Sequence, residues 1–318
     1  MNLLKRIPLP MAGLALGLAA LGNLFAETPV IRTVLGIIAA IILVVLAIKV
    51  ILIPQSLKEA IDTPPVAGTL MTYPMAMMVL SGYILPHLAS LAKVLWFAGI
   101  ALFLLLLAVF IPKYILKFNI KCVFASYFVA FVGIVVASLT ANAMGFPLIG
   151  KVAFWFGLIC YILLLVPVTY RYLRVKNSPP PATPAVAIYA APASLLLAGY
   201  LSVFETKAPA MVYALFAVAL IMTLVGLIQS IPQLTKPFYP SIAAFTFPFV
   251  ISAIATKMMN GYLNASGNPS SLVSFLFKAE FVIAVLLVAY TLIRYMIFLS
   301  NSENKLSMDQ SKKVKQSN

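Results

Sequence analysis

Runs such as Ile37–Ile48 and Val282–Leu292 are apolar on nearly every face that a helix or a strand could present. Inside a bilayer every backbone polar group must find its partner within the protein, so only helices or a closed barrel can span it. Barrel strands alternate apolar and polar residues over about ten positions, and these runs do not. The chain is therefore read as an all-α polytopic membrane protein. A 63% hydrophobic content, 9% charged residues and a mean hydropathy of +1.08 agree with that class.

Ten stretches are long enough to cross about 30 Å of hydrocarbon: 9–26, 30–53, 65–85, 90–111, 120–142, 147–172, 184–203, 207–231, 239–260 and 271–299. Residues 1–299 form the ten-span domain and 300–318 a polar, basic cytoplasmic tail. With both termini inside, sixteen of the 22 basic residues fall on the cytoplasmic side and six outside, as the positive-inside rule requires. The net charge of +15 is scattered through loops and helix ends and makes no nucleic-acid surface. Lys5 and Arg6 ahead of an apolar run ending at Ala26 also fit a cleaved signal peptide, which would leave nine spans. Retention suits the repeat described next. The expected location is the plasma membrane.

The spans alternate in texture. Even ones are dominated by large aliphatic residues, whereas odd ones are rich in Gly, Ala, Ser, Thr and Pro, as in Met11-Ala12-Gly13-Leu14-Ala15-Leu16-Gly17. Pro10, Pro65, Pro184 and Pro240 each open an odd span, where a missing N–H costs nothing. The fifth span starts with Lys121 instead. Pro74, Pro192 and Pro248 follow 9, 8 and 8 residues after three of these entries. One helical hairpin repeated five times, with odd spans inside and even spans against lipid, accounts for the pattern and could surround a central pore. The internal prolines are expected to kink their helices and free the carbonyls of Leu70, Ile188 and Ala244. Ordinary close packing of small residues, with nothing passing through the middle, is the competing reading.

The alternation, the opening Pro8-Leu9-Pro10 with Leu16-Gly17-Leu18-Ala19-Ala20-Leu21, and Phe245-Thr246-Phe247-Pro248 in the ninth span resemble the tellurite-resistance/dicarboxylate transporter family. That family includes bacterial TehA and the slow-type anion channels of plant guard cells. The resemblance covers about residues 5–299. It implies a homotrimer in which each protomer holds its own pore, lined by the odd spans and plugged by a ninth-span phenylalanine. Phe247 stands at the gate position, between Thr246 and Pro248, and Gly13 corresponds to the first-span glycine facing it. Relatives can carry a proline two residues beyond that glycine, where this chain has Ala15.

All seven acidic residues are read as lying in loops, tails or near span ends, so no carboxylate is expected at mid-membrane to bind a coupling ion. Passive conduction of small inorganic or carboxylate anions is the simpler function. The alternative is a secondary carrier exporting C4-dicarboxylates, sulfite or tellurite-type oxyanions. Lys121 within and Lys257 without are candidate vestibule charges that would steer anions. Pro74, Pro192 and Ser126 join Gly13, Thr246 and Pro248 as candidate pore-lining or gate-facing positions. Phe247 is equally readable as a packing residue beside Phe245 and Phe249, each about 160° away around an ideal helix. No nucleophile–base set, metal cluster or phosphate loop is present, so neither enzymatic activity nor a cofactor is expected.

Overall fold

The computed structural model describes residues 2–175 and 178–316, with side chains described over 4–175 and 178–301. Lys176 and the tail cations beyond Asn301, counted above toward the inner charge, lie outside the described side chains. Among the described residues there is no strand, and the helices group into ten consecutive segments, with the short helices Asn2–Arg6 and Gln55–Asp62 beside them. Eight helices are long and apolar enough to cross a membrane: Pro29–Leu52, Ala89–Tyr114, Ser126–Met144, Pro147–Val175, Pro180–Val203, Pro209–Gln233, Pro240–Ala265 and Ser271–Asn301. The other two segments are the shorter Met11–Leu24 and an interrupted stretch over 64–84. Each odd segment turns back into the even one that follows, which makes five hairpins. Gly145, at φ +86°, ends the fifth segment in the left-handed region that a side chain would resist.

Burial separates the two classes as their composition predicts. The apolar window is 72%, 94% and 78% buried in the fifth, seventh and ninth segments, and 22–33% buried in the second, fourth, sixth, eighth and tenth. In Met11–Leu24 nearly every residue is buried. The first segment packs on the third, the third on the fifth, the fifth on the seventh, the seventh on the ninth, and the ninth back on the first. The odd segments therefore close a ring. Each even helix lies outside it, leaving Ile41, Leu105, Ile162, Ile221 and Leu286 exposed to the surroundings.

The odd segments are not kinked α-helices, and here the structure corrects the expectation. In the third, seventh and ninth segments a 3₁₀ stretch, at Gly68–Met71, Pro180–Ala190 and Pro240–Phe245, precedes the main α-helical part, and in the third it follows a short α-turn, Pro64–Ala67. Pro74, Pro192 and Pro248 fall within the first three residues of the α portion, where no N–H is needed. The carbonyl of Ile188, expected to be free, accepts the N–H of Ala191. A 3₁₀ turn bonds a carbonyl three residues on, so Ile188 keeps a partner although Pro192 stands four residues later. In the fifth segment, which lacks an entry proline, the Asn119 side chain accepts the Lys121 N–H at 3.0 Å and starts the turn Ile120–Cys122.

Candidate functional site

A cavity of about 920 Å³ occupies one half of the ring. Its mouth lies among the entries of the odd segments, at Pro8, Thr63, Pro64, Lys121, Pro179 and Ser241. From there its wall is formed by residues of all five odd segments, and among the described residues of the even segments only the end of the sixth, Arg171 and Val175, contributes. The lining stops at Gly13, Met75, Gly133, Leu195 and Pro248. No described residue of those segments beyond these positions lines it, so the space ends partway across.

Phe247 lies at that blind end and is 5% exposed. It is the first residue of the α-helical part of the ninth segment, immediately after Thr246 with its irregular φ −98°, ψ −87°. Phe245 and Phe249 are buried and do not line the cavity; the ideal-helix angle does not account for Phe245, which ends the 3₁₀ turn before the irregular Thr246. Gly13 and Pro192 line the wall, and Pro248 does so beside Phe247. A Cβ on Gly13 would sit 3.2 Å from that of Ala243, so the first and ninth segments touch where the cavity narrows.

Other candidate positions have different surroundings. Thr246 is fully buried and does not line the cavity; its hydroxyl is 2.9 Å from the Gly13 carbonyl oxygen and 2.7 Å from that of Ala243. It fastens the ninth segment to the first. Ser126 is fully buried and off the wall; its carbonyl lies where a Cβ on Gly68 would fall, at 2.3 Å. Pro74 is also buried off the wall, with its carbonyl against Gly99 of the fourth segment. Lys257 is remote from the cavity, with Nζ 3.6 Å from Glu27 Oε1 and 5.9 Å from the Phe277 ring centre.

The wall is mostly apolar. Its hydroxyls include Thr63, Thr69, Thr72 and Ser241, which donate to the carbonyls of Glu59, Val66, Thr69 and Pro181. No carboxylate is among the described lining residues, whereas Lys121 and Arg171 are. Arg171, not singled out from the sequence, is only 2% exposed. A five-residue π-helical turn, Arg171–Val175, directs it inward. Its Nη1 donates to Ser178 Oγ at 3.1 Å, and the guanidinium lies 4.7 Å from the ring centre of Phe124, which also faces the cavity. A cation held against aromatic faces at the mouth of an apolar space raises the local concentration of anions.

One acidic residue contradicts the expected pattern. Glu280 is not near a span end: it lies nine residues beyond the start of the tenth segment, about 14 Å along its axis, and is 9% exposed. It points at the ninth segment rather than into the cavity.

A search of curated proteins finds no match. A family model described as voltage-dependent anion channel, SLAC1, matches residues 6–297, which takes in nine segments and nearly all of the tenth. Its length, the closed ring of small-residue segments and the cation-lined cavity fit together, and the chain belongs to this SLAC1 family of membrane anion channels and transporters.

Proposed function

We propose that the chain is a passive anion channel whose cavity is the inner half of the conduction path and whose gate is Phe247. The observation that carries this reading is the position of the Phe247 ring, at the closed end of a space walled by all five odd segments. Anion preference is supported by Lys121 and Arg171 at the mouth and by the lack of carboxylates among the described lining residues. With apolar walls beyond these two cations, anions would pass in the order in which they shed water. All ten segments cross the plasma membrane in this reading, both termini are cytoplasmic, and three copies assemble with a pore in each.

Planar-bilayer recording of the purified chain tests it. Phe247→Ala conducts anions constitutively, while Phe245→Leu, which alters a ring turned away from the cavity, stays as silent as the parent. Silence of both variants would remove Phe247 as the gate. One observation favours the alternative, a secondary carrier of C4-dicarboxylates, sulfite or tellurite-type oxyanions: the cavity opens at one end only, as a substrate site facing one side would. Saturable counterflow that persists without a membrane potential identifies the carrier.

A further inference from the structure

The tenth segment buries one stripe of its surface, Val273, Glu280, Ala284, Leu287, Val288, Thr291 and Tyr295, and Glu280 is the one ionisable carboxyl on it. Its Oε2 is buried and has no hydrogen-bond partner among the described residues. Across from it, on the ninth segment, stand Ser252 and Thr256, one turn apart and each 2% exposed. Ser252 Oγ lies 2.8 Å from Thr223 Oγ1 of the eighth segment. A carboxyl and hydroxyls thus converge behind the segment that carries Phe247, roughly halfway through the membrane.

Among the described residues no cation is placed against this carboxyl. Lys257, beside Thr256 in sequence, is turned toward Glu27 and the Phe277 ring. Lys278 on the same helix points outward and is exposed. Neither Met11–Leu24 nor Pro240–Phe245, which also pack on the tenth segment, contains a titratable residue. The short N-terminal helix Asn2–Arg6, which carries Lys5 and Arg6, also packs on the tenth segment and is tied through the Lys5 carbonyl to Lys49 at the inner end. Burying an unpaired carboxylate in such a place is costly, and the charge is neutralised from outside the chain or not carried at all. One carboxylate calls for one positive charge. A divalent ion would leave an excess of charge and would need six or more oxygens.

We infer that Glu280, with Ser252 and Thr256, is the binding site of one monovalent cation, a proton or Na⁺, and that its occupancy sets how the ninth segment seats against the tenth. The second half of this inference rests on the reading of Phe247 as the gate; the first does not. When occupied, the site holds the two segments together through the carboxyl and hydroxyls. When it is empty, the bare carboxylate draws water between them and shifts the helix whose first residue is Phe247.

The test uses the full chain in lipid nanodiscs, followed by thermal unfolding. Titrating pH without Na⁺, then Na⁺ against an organic cation at fixed pH, moves the midpoint of the parent by roughly 3 °C in one of the two series. Glu280→Gln, similar in shape and uncharged, abolishes that dependence, and Ser252→Ala weakens it. A shift confined to the pH series identifies the proton, and one confined to the Na⁺ series identifies sodium. Parent and Glu280→Gln responding alike in both series would overturn the site. For the coupling, emptying the site of that cation lets the otherwise silent parent pass current and leaves the current of the conducting Phe247→Ala channel unchanged. An unfolding shift without any change in parent current would overturn the coupling and leave the site. A silent Phe247→Ala variant would overturn the gate reading alone.

Discussion

Gly17→Ala is the perturbation whose size the structure states most directly. An added Cβ would fall 2.4 Å from both Cβ and Oγ1 of Thr246 and 3.1 Å from the backbone nitrogen of Phe247. Carbon atoms in contact sit about 3.5–4.0 Å apart, so the first and ninth segments must separate by about 1 Å. Neither obstacle can rotate away, since one is a Cβ and the other belongs to a hydroxyl engaged with the Gly13 and Ala243 carbonyls. Overpacking of this kind costs about 1–3 kcal/mol, and a rigid collision belongs at the upper end. Replacing a mid-helix glycine by alanine returns about 1 kcal/mol. The net loss is therefore about 2 kcal/mol, read as a fall of a few degrees in the unfolding midpoint of the purified protein. Thr246→Ala in the same background removes only the Oγ1 collision, because its Cβ stays in place. Thr246→Gly removes both. The double variant Gly17→Ala/Thr246→Gly should consequently be more stable than the sum of its single changes by about 1 kcal/mol or more. Strict additivity, or a Gly17→Ala midpoint equal to that of the parent, would show that the two segments do not meet as described.

Two further outcomes follow from the inner end. Replacing Arg171 or Lys121 by Gln lowers the current of the conducting Phe247→Ala channel, and the loss shrinks as salt is raised because counter-ions screen the mouth; equal currents at low salt would discount both residues. Lys49 is 5% exposed, and its Nζ donates to the carbonyls of Ile7 at 2.6 Å and Lys5 at 3.1 Å. Lys49→Met costs about 1–3 kcal/mol and releases the N-terminal segment, so limited proteolysis should cut ahead of Pro8 before it cuts elsewhere; an unchanged cleavage pattern counts against the tie.

Much of the architecture was legible because lipid and protein make different demands of a helix. Large aliphatic residues in Ile37–Ile48 and small ones in Met11–Gly17 announced an outer and an inner class, and burial follows that division. The reading of Phe247 as a gate came from a resemblance, and its place at the blind end of the cavity, with Phe245 off the wall, follows from the change of winding at Thr246. The phase of the inner helices could not be read in the same way. They are apolar and small on all sides, so no stripe marks the face toward the cavity. That is why Thr246 and Ser126, expected at the wall, turn out to be packed between segments, and why Lys257 reaches Glu27 rather than a pore mouth.

The sequence by itself determined the class, the five-hairpin plan and which segments face inward, since each of these depends on composition summed over some twenty residues. Only the tertiary structure decided the 3₁₀ entries, the burial of Arg171 beneath Phe124 and the depth of Glu280 beside Ser252 and Thr256. Each of those depends on where a neighbouring helix, distant in the chain, places its atoms to within about an ångström, and close packing resolves differences of that size.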